Sequence, residues 1–447
     1  MAQTQTQNKK QTQTPTSPST PTSHVSIQSR ALNEHQITLL VRKLECHLPC
    51  SIPLLRRIQS HLQRECASTT ARIFVAAVRG DHNASASTRS DPEPPEHEHE
   101  HEHEHERVHQ WDLDLGAWLN LEPQSQSPDT DTPDPWIAAH IDLVNAGQTQ
   151  VWVFGSWEAA SSTSGNEAAS SSSTDTDTDP HPHPHALLHK GLLNALFTYI
   201  SRHLIPLLPT NPPEEWLSLA ATGKYLSRPY SRDKVLFGAV SDKLWHLFPE
   251  GARTRTDAGY WKYLFRRDTS SSPTSSTAPL PPGYRFGAMQ DAHLQLVLDR
   301  TPIPRTLGTL RQLVSIGVFH EEGTVPVGWG FLGKDASLSS LHTEVEHRGR
   351  GLAVSLGAEL WRRQQEQLQS GQGGKADRAE RGGGAVDEVA QEANKTSTST
   401  PPPWWGHADV SQHNGASRRV MEKLGGRPAW MVMWTEMDMR VLLALEE

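Results

Sequence analysis

The chain has 447 residues, a formal net charge of −9 and a pI near 6.2. This acidic balance gives no electrostatic attraction for phosphate backbones, so the composition argues against nucleic acid as a partner. The sequence has no run of about 18 apolar residues and no apolar segment behind a charged start, so it predicts neither a membrane partner nor a secretory signal. Three cysteines, an odd number, favour a reducing compartment. We therefore expect an intracellular protein, cytoplasmic or nuclear, with mitochondrial import less favoured.

Segments of low sequence complexity interrupt the chain, and their composition buries too little apolar surface to offset the entropy of ordering. The predicted disordered segments are 1–24, residues near 83–108 and 123–134, 158–184, the linker 268–282, and 368–402. A histidine and glutamate tract, EHEHEHEHEHE, lies at 96–106. Such tracts bind transition metals weakly but have no fixed geometry, so no metal site is predicted. About 300 residues remain, enough for two domains of roughly 150 residues each.

The part of the chain from 25 to 267 alternates between strand and helix patterns. A turn signal, NAGQ at 145–148, joins two alternating runs and predicts a hairpin. The order indicates an α/β domain, and no complete catalytic motif occurs in it. The predicted elements are a helix at 35–63, strands at 71–78, 136–144 and 148–158, a helix at 186–205, a strand at 235–240 and a helix at 242–248.

The part from 283 to 447 gives a second, longer alternation. A short loop with Gly323 joins the first two of three consecutive strands. The predicted elements are a strand at 284–289, helices at 291–300 and 305–314, strands at 315–321, 325–333 and 337–346, a helix from Leu352, a strand at 405–410, a helix from Asn414 to about Gly425, and a strand at 429–439.

The stretch HRGRGLAVSLGAEL, residues 347–360, joins a predicted strand to a predicted helix. Amide groups at a helix start have no helical partner, and the helix dipole adds partial positive charge, so an anion is stabilised there. Gly349 and Gly351 let the backbone approach a phosphate without a Cβ clash, and Arg348 and Arg350 add positive charge. Taken alone, the stretch also fits a solvated helix start with glycine caps. The strand-turn-helix context favours a pyrophosphate cradle.

This order of elements resembles the GNAT superfamily of acyl-CoA-dependent N-acyltransferases. The family signature, Arg or Gln, two residues, Gly, one residue, then Gly or Ala, matches residues 348–353, RGRGLA. A second match is ADVSQHNGASRRVMEKLGGRPAW, residues 408–430. The resemblance covers 283–447 and is closer to glycine N-acyltransferase-like and fungal members, which pair a degenerate GNAT-like half with a catalytic one. It implies an α/β protein whose C-terminal GNAT fold, a mixed central sheet flanked by helices, follows a degenerate GNAT-like half at 25–267.

The resemblance implies acetyl-CoA or another acyl-CoA as cosubstrate. In the family, the pantetheine arm inserts between two neighbouring strands like an extra strand, here 337–346 and 405–410. Main-chain groups carry this binding, so it depends on position rather than on side-chain identity. The implied cofactor-binding residues are Leu341, Thr343, Arg348, Gly349, Arg350, Gly351, Leu352, Ala353 and Asn414.

The catalytic residues are less clearly marked. The family often has a tyrosine acid where this chain has Met421, and a glutamate where it has Ser337. Period-two alternation would place His342, Glu344 and Glu346 on one face of their strand. His342 is our preferred base because a histidine with an unperturbed pKa of about 6.5 can accept a proton at neutral pH. Proton loss through water stays open, and the other candidates are Glu344, Asp335 and Asp409.

These observations predict an N-acyltransferase that moves an acetyl or short acyl group from coenzyme A to an amine by direct attack. A small molecule or amino acid is the favoured acceptor, and a protein amine is a third possibility. The alternative is a non-catalytic acyl-CoA-binding or scaffold protein, which the residues at 337 and 421 favour.

Overall fold

In the computed structural model, the described residues are 25–63, 70–80, 115–120, 134–160, 184–223, 226–267, 279–380 and 403–446. The histidine and glutamate tract and most of the segments predicted to be disordered lie outside these residues. One long helix is described to Glu380, so it extends past 368, where disorder is predicted to begin. Extending a formed helix needs no new nucleus, which accounts for the longer helix.

The N-terminal half, residues 25–267, alternates strands and helices. The single helix predicted at 35–63 is two helices, because residues 46–51 between them contain Pro49, which cannot continue a helix. The elements are β1 (Val25–Ala31), α1 (Glu34–Glu45), α2 (Ile52–Gln63), β2 (Arg72–Gly80), α3 (115–120), β3 (Trp136–Ile141), β4 (Val151–Gly155), α4 (Trp157–Ala160), α5 (Pro184–Tyr199), α6 (Glu214–Ala221), β5 (Lys234–Ser241), α7 (Asp242–Trp245) and β6 (Arg253–Arg267).

The C-terminal half, residues 279–446, follows the predicted order with shifted boundaries. Within the described ranges, no helix combines the length and apolarity needed to cross a bilayer. The elements are β7 (Tyr284–Gly287), α8 (Asp291–Arg300), α9 (Leu307–Arg311), β8 (Ser315–His320), β9 (Pro326–Leu332), β10 (Leu338–Thr343), α10 (Leu352–Glu380), β11 (Trp404–Ser411), α11 (Gly415–Lys423), β12 (Arg427–Asp438) and α12 (Met439–Glu446).

Two sheets carry these strands, and the predicted α/β fold is confirmed. The larger has the order β1-β2-β3-β4-β5-β12-β6-β11, and the smaller has the order β10-β9-β8-β7. Neighbouring strands are antiparallel except β4 and β5, which pair in parallel at Val151 and Phe237. The predicted hairpins, β3 with β4 and β8 with β9, are both confirmed by antiparallel pairing.

The two halves exchange strands. The last strand of the C-terminal half, β12, lies between β5 and β6 of the N-terminal half. In turn β6, the last strand of the N-terminal half, lies between β12 and β11. The division into two domains at 268–282 stays a prediction, but each half completes the sheet of the other.

The hydrophobic core of the C-terminal half therefore contains residues of both halves. Leu352, Leu356 and Leu360, spaced by four along α10, are buried against the sheet. Tyr263 and Phe265 of β6 belong to the same buried cluster. Packing of this kind makes the position of α10 depend on a strand from the N-terminal half.

Candidate functional site

The terminal strands of the two sheets, β10 and β11, lie side by side without a backbone ladder between them in the described part of the chain. Among the described strands, β10 pairs only with β9, and β11 pairs only with β6. They approach each other at the start of β10, where the carbonyl oxygen of Asp335 accepts a hydrogen bond of 2.8 Å from His407 Nε2. Unpaired strand edges can bind an extended chain that carries amides. We call the space between β10 and β11 the cleft.

A β-bulge distorts β10 in the middle of the cleft. The register with β9 shifts between Ser339 and His342, and Ser340 has φ of +49°. The strand ends at Thr343, so Glu344 follows it, and Glu346 lies in a 3-10 turn, Val345–His347. The common strand face expected for His342, Glu344 and Glu346 therefore does not form, because the strand ends at Thr343, before Glu344 and Glu346.

The glycine loop after β10 has the geometry of an anion site. Gly349 and Gly351 have φ of +78° and +83°, and the space beside each is open where a Cβ would stand. The amides of Val354 and Ser355 bond to the carbonyl of Gly351, so the amides that precede them have no helical acceptor. With the helix dipole, these groups favour a bound anion.

Two side chains hold this loop in place. Arg348 Nε donates a hydrogen bond of 2.9 Å to the carbonyl oxygen of Thr343, which fastens the loop to the end of β10. Leu352, the first residue of α10, is 1% exposed and packs in the core. Ala353 is half-buried, and Arg350 is exposed to solvent. The loop is thus anchored at both ends while its glycines face open space.

Polar groups along β10 fit a cofactor with amides and phosphates. The hydroxyl oxygens of Ser339, Ser340 and Thr343 are buried and have no hydrogen-bond partner among the described residues. Buried hydroxyl groups in native proteins are usually hydrogen-bonded, so these three hydroxyl groups are available to form hydrogen bonds with polar groups of a ligand. Asn414 caps α11, because its side chain accepts a hydrogen bond of 3.0 Å from the amide of Ser417. Leu341, the other strand residue implied in binding, is half-buried.

His342 forms an oriented pair with Glu344. Its ring stacks on Trp329 with the centroids 4.5 Å apart, and Nε2 lies 3.5 Å from Glu344 Oε2. Arg300 Nε donates a hydrogen bond of 3.1 Å to Glu344 Oε1. Burial raises the pKa of Glu344, but the hydrogen bond from Arg300 and the neighbouring His342 ring outweigh burial and lower it. The carboxylate thus favours the tautomer with its proton on Nε2, which leaves Nδ1 as a proton acceptor.

Asp335 lies in the loop before β10 and is engaged by its neighbours. Oδ1 accepts hydrogen bonds from the amide and the hydroxyl of Ser337, at 3.1 and 2.6 Å. Burial raises the pKa of Asp335, but the neighbouring His407 and Lys262 and the Ser337 hydrogen bonds together outweigh burial and lower it. The carboxylate is therefore ionised and fixes the loop, which is a poor arrangement for a group that must exchange a proton with a substrate.

A buried polar cluster closes the cleft where β10 and β11 approach. Lys262 of β6 is fully buried, and its Nζ lies 2.9 Å from Asp409 Oδ2, 2.8 Å from Asp409 Oδ1 and 3.3 Å from His407 Nδ1. Carboxylate and ring atoms of Asp335, His407 and Asp409 lie within 4.8 Å of one another. Among the described residues, the Lys262 ammonium is a cation that contacts both Asp409 and His407. We call these four residues, Lys262, Asp335, His407 and Asp409, the floor cluster.

The charges of the floor cluster follow from burial. Burial, together with the charge of Lys262, lowers the pKa of His407 to about 3, so this ring is neutral at pH 7. The neutral ring donates through Nε2 to the Asp335 carbonyl and accepts at Nδ1 from Lys262. Burial raises the pKa of Asp409, and the Lys262 ammonium offsets only part of that rise. Asp409 is thus a buried carboxylate with one fixed cationic partner.

Of these four residues, the sequence pointed to Asp335 and Asp409 and missed Lys262 and His407. His407 and Asp409 are two apart on β11 and share a face, so the alternation of the predicted strand could have paired them. Lys262 gave no such signal. It lies 147 residues before its partner Asp409, on a strand that the sequence did not predict.

The matching gap in the N-terminal half, between β4 and β5, is closed by protein groups. The amide of Gln150 donates to the carbonyl of Leu236, and the Leu236 amide donates to Gln150 Oε1. At the other end, Glu158 accepts hydrogen bonds from the Gly155 amide and the Ser241 hydroxyl. Burial raises the pKa of Glu158, and these hydrogen bonds lower it by a smaller amount. The net result is a pKa of about 7. The gap with free strand edges is therefore the one between β10 and β11.

Met421, where the resemblance implies a tyrosine, is 3% exposed and packs in the core beneath α11. A thioether supplies no proton, so this position cannot act as a general acid.

Comparisons with known proteins complete the description of the site. The family described as the acyl-CoA N-acyltransferase verG N-terminal domain matches residues 24–263, more than half of the chain. No curated protein matches the chain in sequence. Residues 24–263 include the first part of β6, and therefore Lys262 of the floor cluster.

Solved structures give distant likenesses only. An X-ray structure of a Drosophila protein is 11% identical, with a TM-score of 0.45, and covers 92% of this chain and 98% of its own. A tandem GNAT protein from the clavulanic acid biosynthesis pathway is 10% identical, with a TM-score of 0.36, over 93% of this chain and 99% of its own. A GCN5-related N-acetyltransferase from Sphaerobacter thermophilus is 12% identical, with a TM-score of 0.32, over 73% and 85%.

Proposed function

Because the chain belongs to the acyl-CoA N-acyltransferase verG N-terminal domain family, we propose that it transfers an acetyl or other short acyl group from coenzyme A to an amine. One observation carries the proposal. Two unpaired strand edges face each other across the cleft, and one of them leads into a loop whose two glycines hold positive φ before a long helix. This arrangement suits a ligand with an extended amide arm and a pyrophosphate.

The proposed cofactor site follows from the loop and the strand edges. The amides between Gly349 and Ala353 bind the pyrophosphate, and the exposed Arg348 and Arg350 add positive charge. Main-chain groups of Leu341 and Thr343 bind the pantetheine arm. The carbonyl oxygen of Thr343 already accepts a hydrogen bond from Arg348, so it has less remaining capacity to bind the arm than the other main-chain groups. Asn414, exposed at the start of α11, contacts the arm from the other side of the cleft.

The chemistry that this site supports is direct attack on the thioester. The acceptor nitrogen forms a bond to the carbonyl carbon, the carbon–sulfur bond breaks, and coenzyme A departs as a thiolate that takes up a proton. The amine loses its proton to His342 Nδ1, and Glu344 keeps the ring oriented. Since Met421 supplies no proton, the thiolate leaves without a general acid, which a thiol pKa of about 8.5 permits.

A second candidate function is acyl-CoA binding without catalysis, and the buried Met421 favours it. A thiol-release assay with acetyl-CoA and a library of amines separates the two. Release that depends on an added amine supports the enzyme. Calorimetric binding of acetyl-CoA with no release across all amines and acyl chains supports the binding protein, and no binding at all contradicts both. For the enzyme, the favoured acceptor is a small molecule or amino acid rather than a protein.

A further inference from the structure

We propose that Lys262, a residue of the N-terminal half, is a specificity-determining residue that closes the floor of the acyl-CoA cleft and limits the acyl group to short chains. The inference rests on the proposed function. It adds to that function a residue from outside the C-terminal half and a reason for the length of the acyl chain.

The direction of the cofactor in the cleft places its acyl end at the floor cluster. The pyrophosphate seat lies beyond the end of β10, at Gly349 and Gly351. An arm that follows the free edge of β10 from there runs back toward the start of the strand. At that start the gap is closed, since His407 is bonded to the carbonyl of Asp335. The acyl group is the end of the arm farthest from the pyrophosphate, so it faces the floor cluster.

The charged and polar groups of the floor cluster already contact one another. Lys262 Nζ lies within 3.3 Å of Asp409 and His407, and His407 in turn bonds the backbone before β10. Two further cations interact electrostatically with the floor cluster: Arg305 with the charge of Asp335, and Arg56 with His407. An acetyl group can stop above these groups. A long hydrocarbon chain would have to separate Lys262 from Asp409 and leave buried charges without partners, which is strongly unfavourable.

The N-terminal half supplies the ammonium group of this floor, Lys262, through the strand exchange. Lys262 stands opposite Asp409 in the pairing of β6 with β11. Arg56 of α2 also contacts β11, where its Nη2 donates a hydrogen bond of 3.1 Å to the carbonyl of Trp405. Without β6 the floor cluster would lose its ammonium group, because Lys262 is the member of the cluster that lies in the N-terminal half.

The test measures kcat/KM for acetyl-, butyryl-, hexanoyl- and octanoyl-CoA with one amine. For the full-length wild-type chain we expect acetyl-CoA to be preferred over octanoyl-CoA by at least ~10-fold. The paired variant Lys262→Met with Asp409→Val removes both charges and replaces them with apolar side chains, a change that buried pairs often tolerate. For this variant we expect the ratio of kcat/KM with acetyl-CoA to kcat/KM with octanoyl-CoA to fall from at least ~10 to about 1, or to invert.

Controls separate specificity from folding. Lys423→Met removes an exposed lysine on α11 and should keep the wild-type chain-length profile. Calorimetric binding of free coenzyme A should be unchanged in the paired variant, because the pyrophosphate seat is untouched. If the paired variant does not fold, Asp409→Asn, which keeps the size and removes the carboxylate charge, should also weaken the acetyl preference.

Two outcomes would overturn the inference. A wild-type rate that is flat from acetyl to octanoyl shows that the floor imposes no limit. An unchanged preference in a folded paired variant shows that Lys262 and Asp409 do not impose it. By contrast, no thiol release from any acyl-CoA and no binding of coenzyme A would contradict the proposed function itself, so the two failures are distinguishable.

Discussion

Gly351 decides whether an anion can approach the start of α10. Its φ of +83° and the open space beside it belong to a residue without a side chain. We expect Gly351→Asp to weaken binding of coenzyme A by at least ~10-fold, because the new carboxylate stands where the pyrophosphate is expected. Isothermal titration calorimetry measures this directly.

A matched control separates charge at the site from backbone strain. Gly425, after α11, has φ of +86°, is exposed and has equally open surroundings. Gly425→Asp therefore carries the same left-handed strain, roughly 1–2 kcal/mol, without placing a charge in the glycine loop. Both variants should lose similar stability, and only Gly351→Asp should lose affinity. Equal affinity for coenzyme A in the two variants would contradict the proposal that the glycine loop binds the pyrophosphate.

His342 should matter more than its orienting partner. Removing a general base typically costs 10²- to 10⁴-fold in rate, so His342→Ala should lower kcat by about that factor and remove the acidic limb of its pH dependence. Glu344→Gln keeps the ring and loses the orienting charge, so its loss should be smaller. His203→Ala, at an exposed histidine after α5, serves as the control. An unchanged pH profile of kcat in His342→Ala would show that His342 is not the base, and that the amine loses its proton to water instead.

The sequence predicted site residues best where local pattern and function coincide. Gly349 and Gly351 are recognisable because strand, turn and helix succeed one another within a few residues. His342 and Glu344 were predicted as neighbours on one strand face, and His342 Nε2 does lie 3.5 Å from Glu344 Oε2, although Glu344 follows the end of β10 instead of lying on its face. Lys262 could not be predicted, because its role depends on a strand pairing between distant parts of the chain.

At the scale of elements, the two strand gaps differ in what fills them. Glu158 follows β4 and accepts hydrogen bonds from the ends of both β4 and β5, so an internal carboxyl group joins these two strand ends. Its pKa of about 7 lies above the ordinary value of 4.5. The protonated form is therefore the one that the folded state stabilises. This contribution is fully present below about pH 4.5 and is lost as pH rises through about 7.

We expect Glu158→Gln to remove a pH dependence of stability. Between pH 5 and pH 8 the free energy of unfolding of the wild type should fall, relative to the variant, by on the order of 1–3 kcal/mol. His407, whose pKa is depressed to about 3, contributes the opposite slope, but it is present in both proteins and cancels in the difference. Urea unfolding at both pH values checks this, with the exposed Glu422→Gln as a control. Parallel curves for wild type and Glu158→Gln would contradict the assignment.

Most elements of the C-terminal half were predicted within a few residues, because each has a clear period and a turn residue at its end. The missed elements lack those signals. β1 adjoins a low-complexity segment, and β6, RTRTDAGYWKYLFRR, is dense in charged residues that suggest an exposed surface. Its Thr, Tyr and Trp content was a usable β-strand signal. The burial of Lys262 depends on tertiary pairing, which the local pattern does not contain.

At the scale of the whole molecule, the exchange of β6 and β12 makes the two halves interdependent. Without β6, the strands β11 and β12 have no common neighbour, and the core under α10 loses Tyr263 and Phe265. Without β12, the same is true of β5 and β6. Unpaired central strands expose both apolar faces and backbone groups, which favours aggregation over folding.

We therefore expect neither half to fold alone. Fragments 1–267 and 279–447, produced separately, should be insoluble or unfolded. Co-expressed, they should purify as a 1:1 complex with one thermal transition and wild-type affinity for coenzyme A, since the cut falls in the linker between β6 and β7. Size-exclusion chromatography with light scattering and calorimetry measure both outcomes. A full-length chain cut by a protease site in that linker after folding is the control and should stay associated. A soluble, monomeric fragment 279–447 that binds coenzyme A unaided would show that β6 is dispensable, because the glycine loop and the edges of β10 and β11 would then hold their geometry without the strand that carries Lys262.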